Sequence, residues 1–476
     1  MSRALVIHGH FYQPPRENPW TGAVETEPSA APFQDWNERI HAECYAPNVD
    51  NYPLISFNFG PTLLSWLAEH HADTYQKILI ADKESAAARG GHGNAIAQAY
   101  GHAILPLCNE RDRVTQVVWG LADFRFRFGR EAEALWLPET AANDDVLSLL
   151  IDHGMRYVIL APNQAKGEID TSKPYLFRHV DGSGRSLAVF FYNGPLARAI
   201  AFEGALGSSR GLVEKFINAA RAGDLVNVAT DGESYGHHFK FGDLGLAHAL
   251  RVEAKAAGFW LTNYAQYLDH HPPQVEVEID NGPDSEGSSW SCVHGVGRWT
   301  RDCGCHTGGE PGWNQQWRQP LRAALEFLRD DAAAKFEAAA SKLLRGPWVA
   351  RNDYISVVLD PHARESFLSR HFVKTAHETR VLKLMEMQRN ALLMFTSCGW
   401  FFSDLAGIET VQVIRYAARV IDLMDQLDLD PPRKRFLELM SEASSNCPGK
   451  GTGEDIFRQL AAEHADKSRS DPRSSA

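Results

Sequence analysis

The sequence predicts an α/β protein in which a closed barrel of parallel strands is followed by an α-helical domain. Three observations point to it. Short apolar runs alternate with helix-period segments over about the first 300 residues, a length that suits a closed barrel with insertions. Those runs are apolar throughout, as strands are when both faces are covered. Beyond Gly308 the strand signals give way to long stretches of helical periodicity. The expected divisions are a barrel over 1–308, a helical domain over 309–445 and a mobile tail over 446–476.

Each element has its own reason. Residues 3–8 form a short apolar run ending in polar groups, the first strand, and 54–59 form the second. A helix follows over 61–71, with Pro61 in the first turn, where a missing N–H is tolerated. A third apolar run covers 95–105, after Gly90, Gly91 and Gly93, and 114–128 is amphipathic and helical. Leu135-Trp136-Leu137-Pro138-Glu139 reads as a strand that delivers a carboxylate to its end; 144–153 reads as a helix and 157–161 as a strand. Runs at 175–180 and 187–192 flank Asp181-Gly182-Ser183-Gly184, which predicts a β-hairpin excursion. A helix over 212–222 leads to the strand 225–230 and then Asp231, and 244–257 is helical again. In the second half Phe367, His371, Val381, Leu384, Met385, Gln388, Leu392 and Phe395 fall near one helical stripe, and 411–423 repeats the pattern. The tail is rich in Ser, Gly and charge, with one short helix at 454–463.

Composition narrows the function. A net charge of -12 argues against nucleic acid and anionic membrane as partners. No apolar run approaches the ~18 residues of a membrane span, and the first residues lack the apolar core of a signal peptide. Seven Cys in 476 residues is an odd, sparse set, which reads as a reducing cytoplasm rather than a disulfide framework. Twelve Trp is many, and their flat apolar faces suit either a core or the C–H face of a pyranose.

Two strand ends carry carboxylates, Glu139 and Asp231. On one barrel they would face each other across the mouth where α/β barrels place their chemistry. Glycoside hydrolysis needs such a pair, one group attacking or stabilising the anomeric carbon and the other protonating the leaving oxygen; a retaining pair sits ~5 to 5.5 Å apart. Glu233, two residues past Asp231, is the rival for the acid. His8, His10 and His102 fall at predicted strand ends on the same mouth.

These residues carry a resemblance. His8-Gly9-His10-Phe11-Tyr12-Gln13-Pro14 resembles the opening motif of glycoside hydrolase family 57, although Phe11 and Tyr12 stand between the histidines and Gln-Pro. The run from Gly93 through His102 to Pro106 is similar to the second motif. Trp136-Leu137-Pro138-Glu139 is similar to the third, and Asp231-Gly232-Glu233-Ser234-Tyr235-Gly236 to the fourth. The resemblance implies a (β/α)7 distorted TIM-like barrel, a retaining mechanism on α-glucans without cofactor or metal, Glu139 as nucleophile and Asp231 as acid/base. It also places His8, His10, Gln13, His102, Trp136 and Tyr235 against substrate. A fifth motif is not clear: His294-Gly295-Val296 is similar to the family's 4-α-glucanotransferases. The stretch from Met394 to Asp404 suggests a branch with its own C-terminal region.

One segment stands apart. From Ser288 to His306 the chain brings together Trp290, Cys292, His294, Arg298, Trp299, Cys303, Cys305 and His306. Thiolate and imidazole are zinc's preferred ligands, so Cys292, Cys303, Cys305 and His306 are one candidate ligand set. The alternatives are a substrate loop, with Trp290, His294, Arg298 and Trp299 on sugar, and a packed loop with buried Cys. The substrate reading is preferred, because thiolates one residue apart close a tetrahedron awkwardly and Arg298 and Arg301 bring positive charge. Trp313 and Trp317 read as core at the junction with the helices. The function expected is a retaining glycosidase or transglycosylase on oligo- or polysaccharide. The alternatives are a carbohydrate-binding protein without turnover and a metal-dependent hydrolase of the mannosidase or deacetylase kind, for which His8 and His10, on one strand face, would supply ligands.

Overall fold

The computed structural model describes residues 3–221, 223–373 and 377–470. Among the described residues there are nine strands: β1 (Arg3–Phe11), β2 (Ser56–Phe59), β3 (Ala97–Gln98), β4 (Leu135–Trp136), β5 (Tyr157–Leu160), β6 (Tyr175–Arg178), β7 (Ser186–Phe191), β8 (Leu225–Asp231) and β9 (Phe259–Leu261). β1 is central, pairing in parallel with β2, β8 and β9. Its residues Ala4, Leu5, Val6 and Ile7 are all buried, which is why the run shows no alternation. β3 pairs with β4, and β5 with β7, again in parallel. The ladder is therefore divided into three sheets. Single parallel bridges join them at Phe57 with Ala95 and at Ala134 with Tyr157. The Asn193 N–H, just past β7, donates to the Asn227 carbonyl of β8 at 2.9 Å.

Several expectations need correcting. The hairpin is only half an excursion: β6 runs antiparallel on β7, but β7 itself belongs to the parallel set. The apolar run 95–105 yields a strand of two residues, because Tyr100 and Gly101 turn back to bond Gln116 of the next helix. Helices Ala72–Ala88, Gly194–Phe202 and Tyr264–His270, and β9, were not anticipated. Within the tail Gly453–Ser470 is a helix, longer than the 454–463 expected, and its Ile456, Phe457 and Leu460 are buried, Phe457 edge-on to Phe436 at 5.3 Å; residues 471–476 lie outside the described residues.

Two apolar clusters divide the molecule. The first draws on residues from Ala4 to Ile279. The second joins helices Arg318–Ala340, Glu378–Leu393 and Ile408–Gln426, and it takes in Cys292, Val296, Trp299 and Trp317. Packing thus changes sides near residue 280, ahead of the 308 expected. Trp317 is buried in that cluster, as expected, whereas Trp313 is only half-buried. Tyr100, Ala103, Ile104, Trp119 and Ala141 of the first half also join the second cluster, so the two halves share a core rather than touching at a rim. Among the described residues no helix is long and apolar enough to cross a membrane.

Candidate active site

Parallel pairing sets the site. In the ladder His10 lies opposite Asn58 of β2 on one side and Asp231 of β8 on the other, while Gln98 of β3 lies opposite Trp136 of β4. These residues all sit at the C-terminal ends of their strands, and Glu139 follows β4 by three residues.

Glu139 is held in an unusual backbone state, φ 58° and ψ 21°, a left-handed conformation that costs a non-glycine residue roughly 1–2 kcal/mol. What holds it is a strap from residues 288–291. Ala142 and Ser288 exchange both backbone bonds, and the Trp290 N–H donates to the Glu139 carbonyl at 3.1 Å. Gln164 ties both segments, donating to the carbonyls of Thr140 at 2.8 Å and Ser288 at 3.1 Å. The strap's side chains then reach the carboxylate. Trp290 Nε1 donates to Glu139 Oε2 at 2.9 Å and Ser291 Oγ at 2.7 Å. Among the described residues no protein group bonds Oε1. Burial raises this carboxyl, and the bonds from Ser291 and Trp290, with the charge of Arg298, pull it back.

Asp231 has no such support. It is exposed at the end of β8, and no protein donor bonds its carboxylate among the described residues. Desolvation by the surrounding protein, then the charges of Glu233 and Glu139, push it well above the usual carboxylate range. Glu233 is buried and committed elsewhere: its Oε1 accepts from the Tyr12 N–H at 3.2 Å and from Tyr45 Oη at 2.7 Å. Burial nevertheless lifts it to about 7.

The model of glycosyl hydrolase family 57 matches residues 32–280, more than half the chain. The chain belongs to this family. A second model, a domain of unknown function (DUF3536), matches 313–469. An α-amylase 1 of Dictyoglomus thermophilum is 23% identical over 129 residues, 26% of this chain; the match spans only 18% of that protein's length. An exo-type maltose-forming amylase of Pyrococcus sp. ST04 has a similar fold, with a TM-score of 0.75, 14% identity and coverage of 98% of this chain and 92% of that one. The family 57 branching enzyme of Pyrococcus horikoshii gives 0.60 at 14% identity, covering 98% and 95%. The 4-α-glucanotransferase of Thermococcus litoralis gives 0.55 at 16%, covering 90% and 60%.

In this family 57 chain the histidines form the floor. Trp136 stacks on His8 at 4.8 Å and on His10 at 4.9 Å. The polar atoms are satisfied when all three rings are neutral. Ser56 Oγ donates to His8 Nδ1 (2.9 Å), and His8 Nε2 to Asn58 Oδ1 (3.1 Å). Asn58 Nδ2 donates to His10 Nδ1 (2.9 Å), His10 Nε2 to His102 Nε2 (3.2 Å), and His102 Nδ1 to Ser397 Oγ (2.6 Å). Burial pushes His8 and His10 down to about 3, and His102 well below its ordinary value. An imidazole pair with both ring nitrogens so engaged is a poor metal donor set.

Several expected contacts lie too deep for sugar. Tyr235 is fully buried with its hydroxyl on Thr230 at 2.8 Å. Trp299 is fully buried and donates to the Ser397 carbonyl at 3.2 Å. Arg298 is buried over the Phe401 ring at 4.3 Å, where only its charge reaches Glu139. His8, His102 and Trp136 are likewise buried. Gln13 and Trp290 are half-buried, and Gln13 is oriented by Arg16 at 3.0 Å. His294 is exposed, among cysteines. Sequence reasoning missed Asn58, Ser291, Ser397 and Tyr192, whose ring stands edge-on to Trp290 at 6.3 Å and lies in the field of Asp231. Only Asn58 left a signal, a polar residue inside the apolar run Phe57-Asn58-Phe59.

Proposed function

We propose that the protein is a retaining glycosidase or transglycosylase acting on α-glucans, with Glu139 as nucleophile and Asp231 as acid/base. The observation that carries the reading is the contrast between the two carboxyls. Burial raises Glu139, but two donors and a cation pull it back toward its anion, with one oxygen left for attack, whereas nothing offsets the rise at Asp231. Asp231 is held toward its protonated form at an exposed strand end, within the field of Glu139. A pair of carboxyls driven apart in this way divides the roles of nucleophile and acid. In the first step Oε1 of Glu139 attacks the anomeric carbon and the C–O bond to the leaving sugar breaks, Asp231 giving its proton to the departing oxygen. In the second, Asp231 takes a proton from water, or from an acceptor sugar hydroxyl, which displaces Glu139. The scaffold is a distorted seven-stranded barrel of β1, β2, β3, β4, β5, β7 and β8, a reading supported by the parallel pairings and by the single bridges between the three sheets.

The test is product analysis on maltooligosaccharides with wild-type protein, Glu139→Gln and Asp231→Asn. NMR of the first-formed product should show the substrate's anomeric configuration. Glu139→Gln should lower kcat by roughly 10³-fold or more with an unchanged melting temperature. Inverted product, or near-native turnover in that variant, would exclude the mechanism.

A further inference from the structure

We propose that Cys292, His294, Cys303 and Cys305 form a tetrahedral zinc site that clamps the strap carrying Trp290 and Ser291. One ligand atom from each of the four lies within 4.8 Å of all the others. The Cys292 sulfur is 3.8 Å from that of Cys303 and 3.8 Å from that of Cys305, and His294 Nδ1 is 3.6 Å from the Cys305 sulfur. A tetrahedron with Zn–S near 2.3 Å and Zn–N near 2.05 Å has edges of about 3.8 Å between sulfurs and about 3.6 Å from sulfur to nitrogen. Three of the six edges already have those lengths, and the other three pairs lie within 4.8 Å. A disulfide would need its sulfurs at about 2.05 Å.

The sequence argument against this site fails on geometry. Gly304 takes φ 80°, a conformation suited to glycine, and turns the chain between Cys303 and Cys305 so that both thiols meet Cys292. His306 is not a member; its Nδ1 accepts from the Gly308 N–H at 3.0 Å, and His294 takes its place. Nor do the arginines repel. Three thiolates around a divalent ion leave a net charge of -1, which Arg318, bonded to the Cys305 carbonyl at 2.8 Å, and Arg298 offset. Arg301 is neutralised by Glu286 at 2.6 Å. Four protein ligands close the coordination shell, so the ion is structural rather than catalytic.

The clamp matters because of its neighbour. Cys292 follows Ser291, which with Trp290 supplies the donors on Glu139. Fixing Cys292 to residues 303–305 ties that strap to a loop packed on the helical half, where Cys292 is buried in the second cluster. Metal binding rests on the four ligands alone, whereas its effect on turnover rests on the role proposed for Glu139.

Full-length untagged protein is purified under reducing conditions and assayed for metal, then stripped with chelator and titrated with Zn²⁺ and Co²⁺. About one zinc per chain is expected, with tight rebinding, and the cobalt form should show the thiolate charge-transfer and visible bands of a tetrahedral ion. Chelation should lower the melting temperature and cut turnover about tenfold, one charged hydrogen bond's worth, with recovery on zinc addition. His306→Ala should keep its zinc, and Cys303→Ser/Cys305→Ser should lose it. Failure of the reduced wild-type protein to bind zinc, retention in the double variant, or a Cys292–Cys303 disulfide in peptide maps would overturn the site. Zinc bound with turnover indifferent to its removal would leave the site standing and remove only its link to Glu139.

Discussion

His8 and His10 hold neutral rings because burial pushes both down to about 3, whereas the unfolded chain protonates them near 6.5. Their folded values are depressed, so the stability they support is present above pH 6.5 and lost as pH falls toward 3. Between pH 6 and 4 each ring should remove about 1.4 kcal/mol of stability per pH unit. Urea unfolding across that range measures the slope, and ring resonances that titrate near 6.5 in the folded protein would refute the assignment. Turnover should follow other groups. The proposed mechanism requires Glu139 ionised and Asp231 protonated, so activity should fall at low pH through the former and at high pH through the raised value of the latter. Ser291→Ala removes one donor from Glu139 and should move the acidic limb of the kcat/KM profile upward, with the alkaline limb unchanged.

The helix Glu110–Phe128 shows what the elements require of single residues. Asn109 caps it through Asp112 N–H at 2.9 Å, and Gly129 ends it at φ 68°. Gly120 lies midway, where alanine would ordinarily raise helix stability by about 1 kcal/mol. Here a Cβ would stand 2.0 Å from the Gln98 carbonyl of β3, so Gly120→Ala should instead cost about 1–3 kcal/mol, read as a lower denaturant midpoint. Elements with a strong period were legible from the residues. β1, β8 and helix Glu110–Phe128 fall within a few residues of their expected places. β4 was legible from its apolar run and Pro138, whereas β3 was drawn too long, over 95–105, because a two-residue pairing leaves no period of its own. Helix Ala72–Ala88 was missed because its apolar positions are diluted by alanine and charge. At the site the two carboxylates and the histidines were visible at strand ends, whereas Ser291 and Ser397 are ordinary serines whose meaning comes only from the chain brought against them.

At the scale of the whole molecule, the helical half completes the histidine network. Ser397 bonds His102 through both its N–H, at 2.9 Å, and its hydroxyl, and Trp20 donates to Asp422 at 2.9 Å. Deleting residues 453–476 would uncover Phe436 and the second cluster by removing Ile456, Phe457 and Leu460. It should cost about 3 kcal/mol or more, read as a fall of several degrees in melting temperature. An unchanged melting temperature would restore the mobile tail that composition suggested.

The bond between His102 and Ser397 spans 295 positions of sequence. At ribosomal speeds of 5–20 residues per second, roughly 15 to 60 s separate the making of its two ends. Strands β1 to β8 therefore emerge with the floor of the cleft open on one side, Trp136 and the imidazoles waiting for a partner still being translated. Under the proposed function, a nascent chain would hold both carboxylates long before it held a finished site, and the helical half would time when that site is first complete.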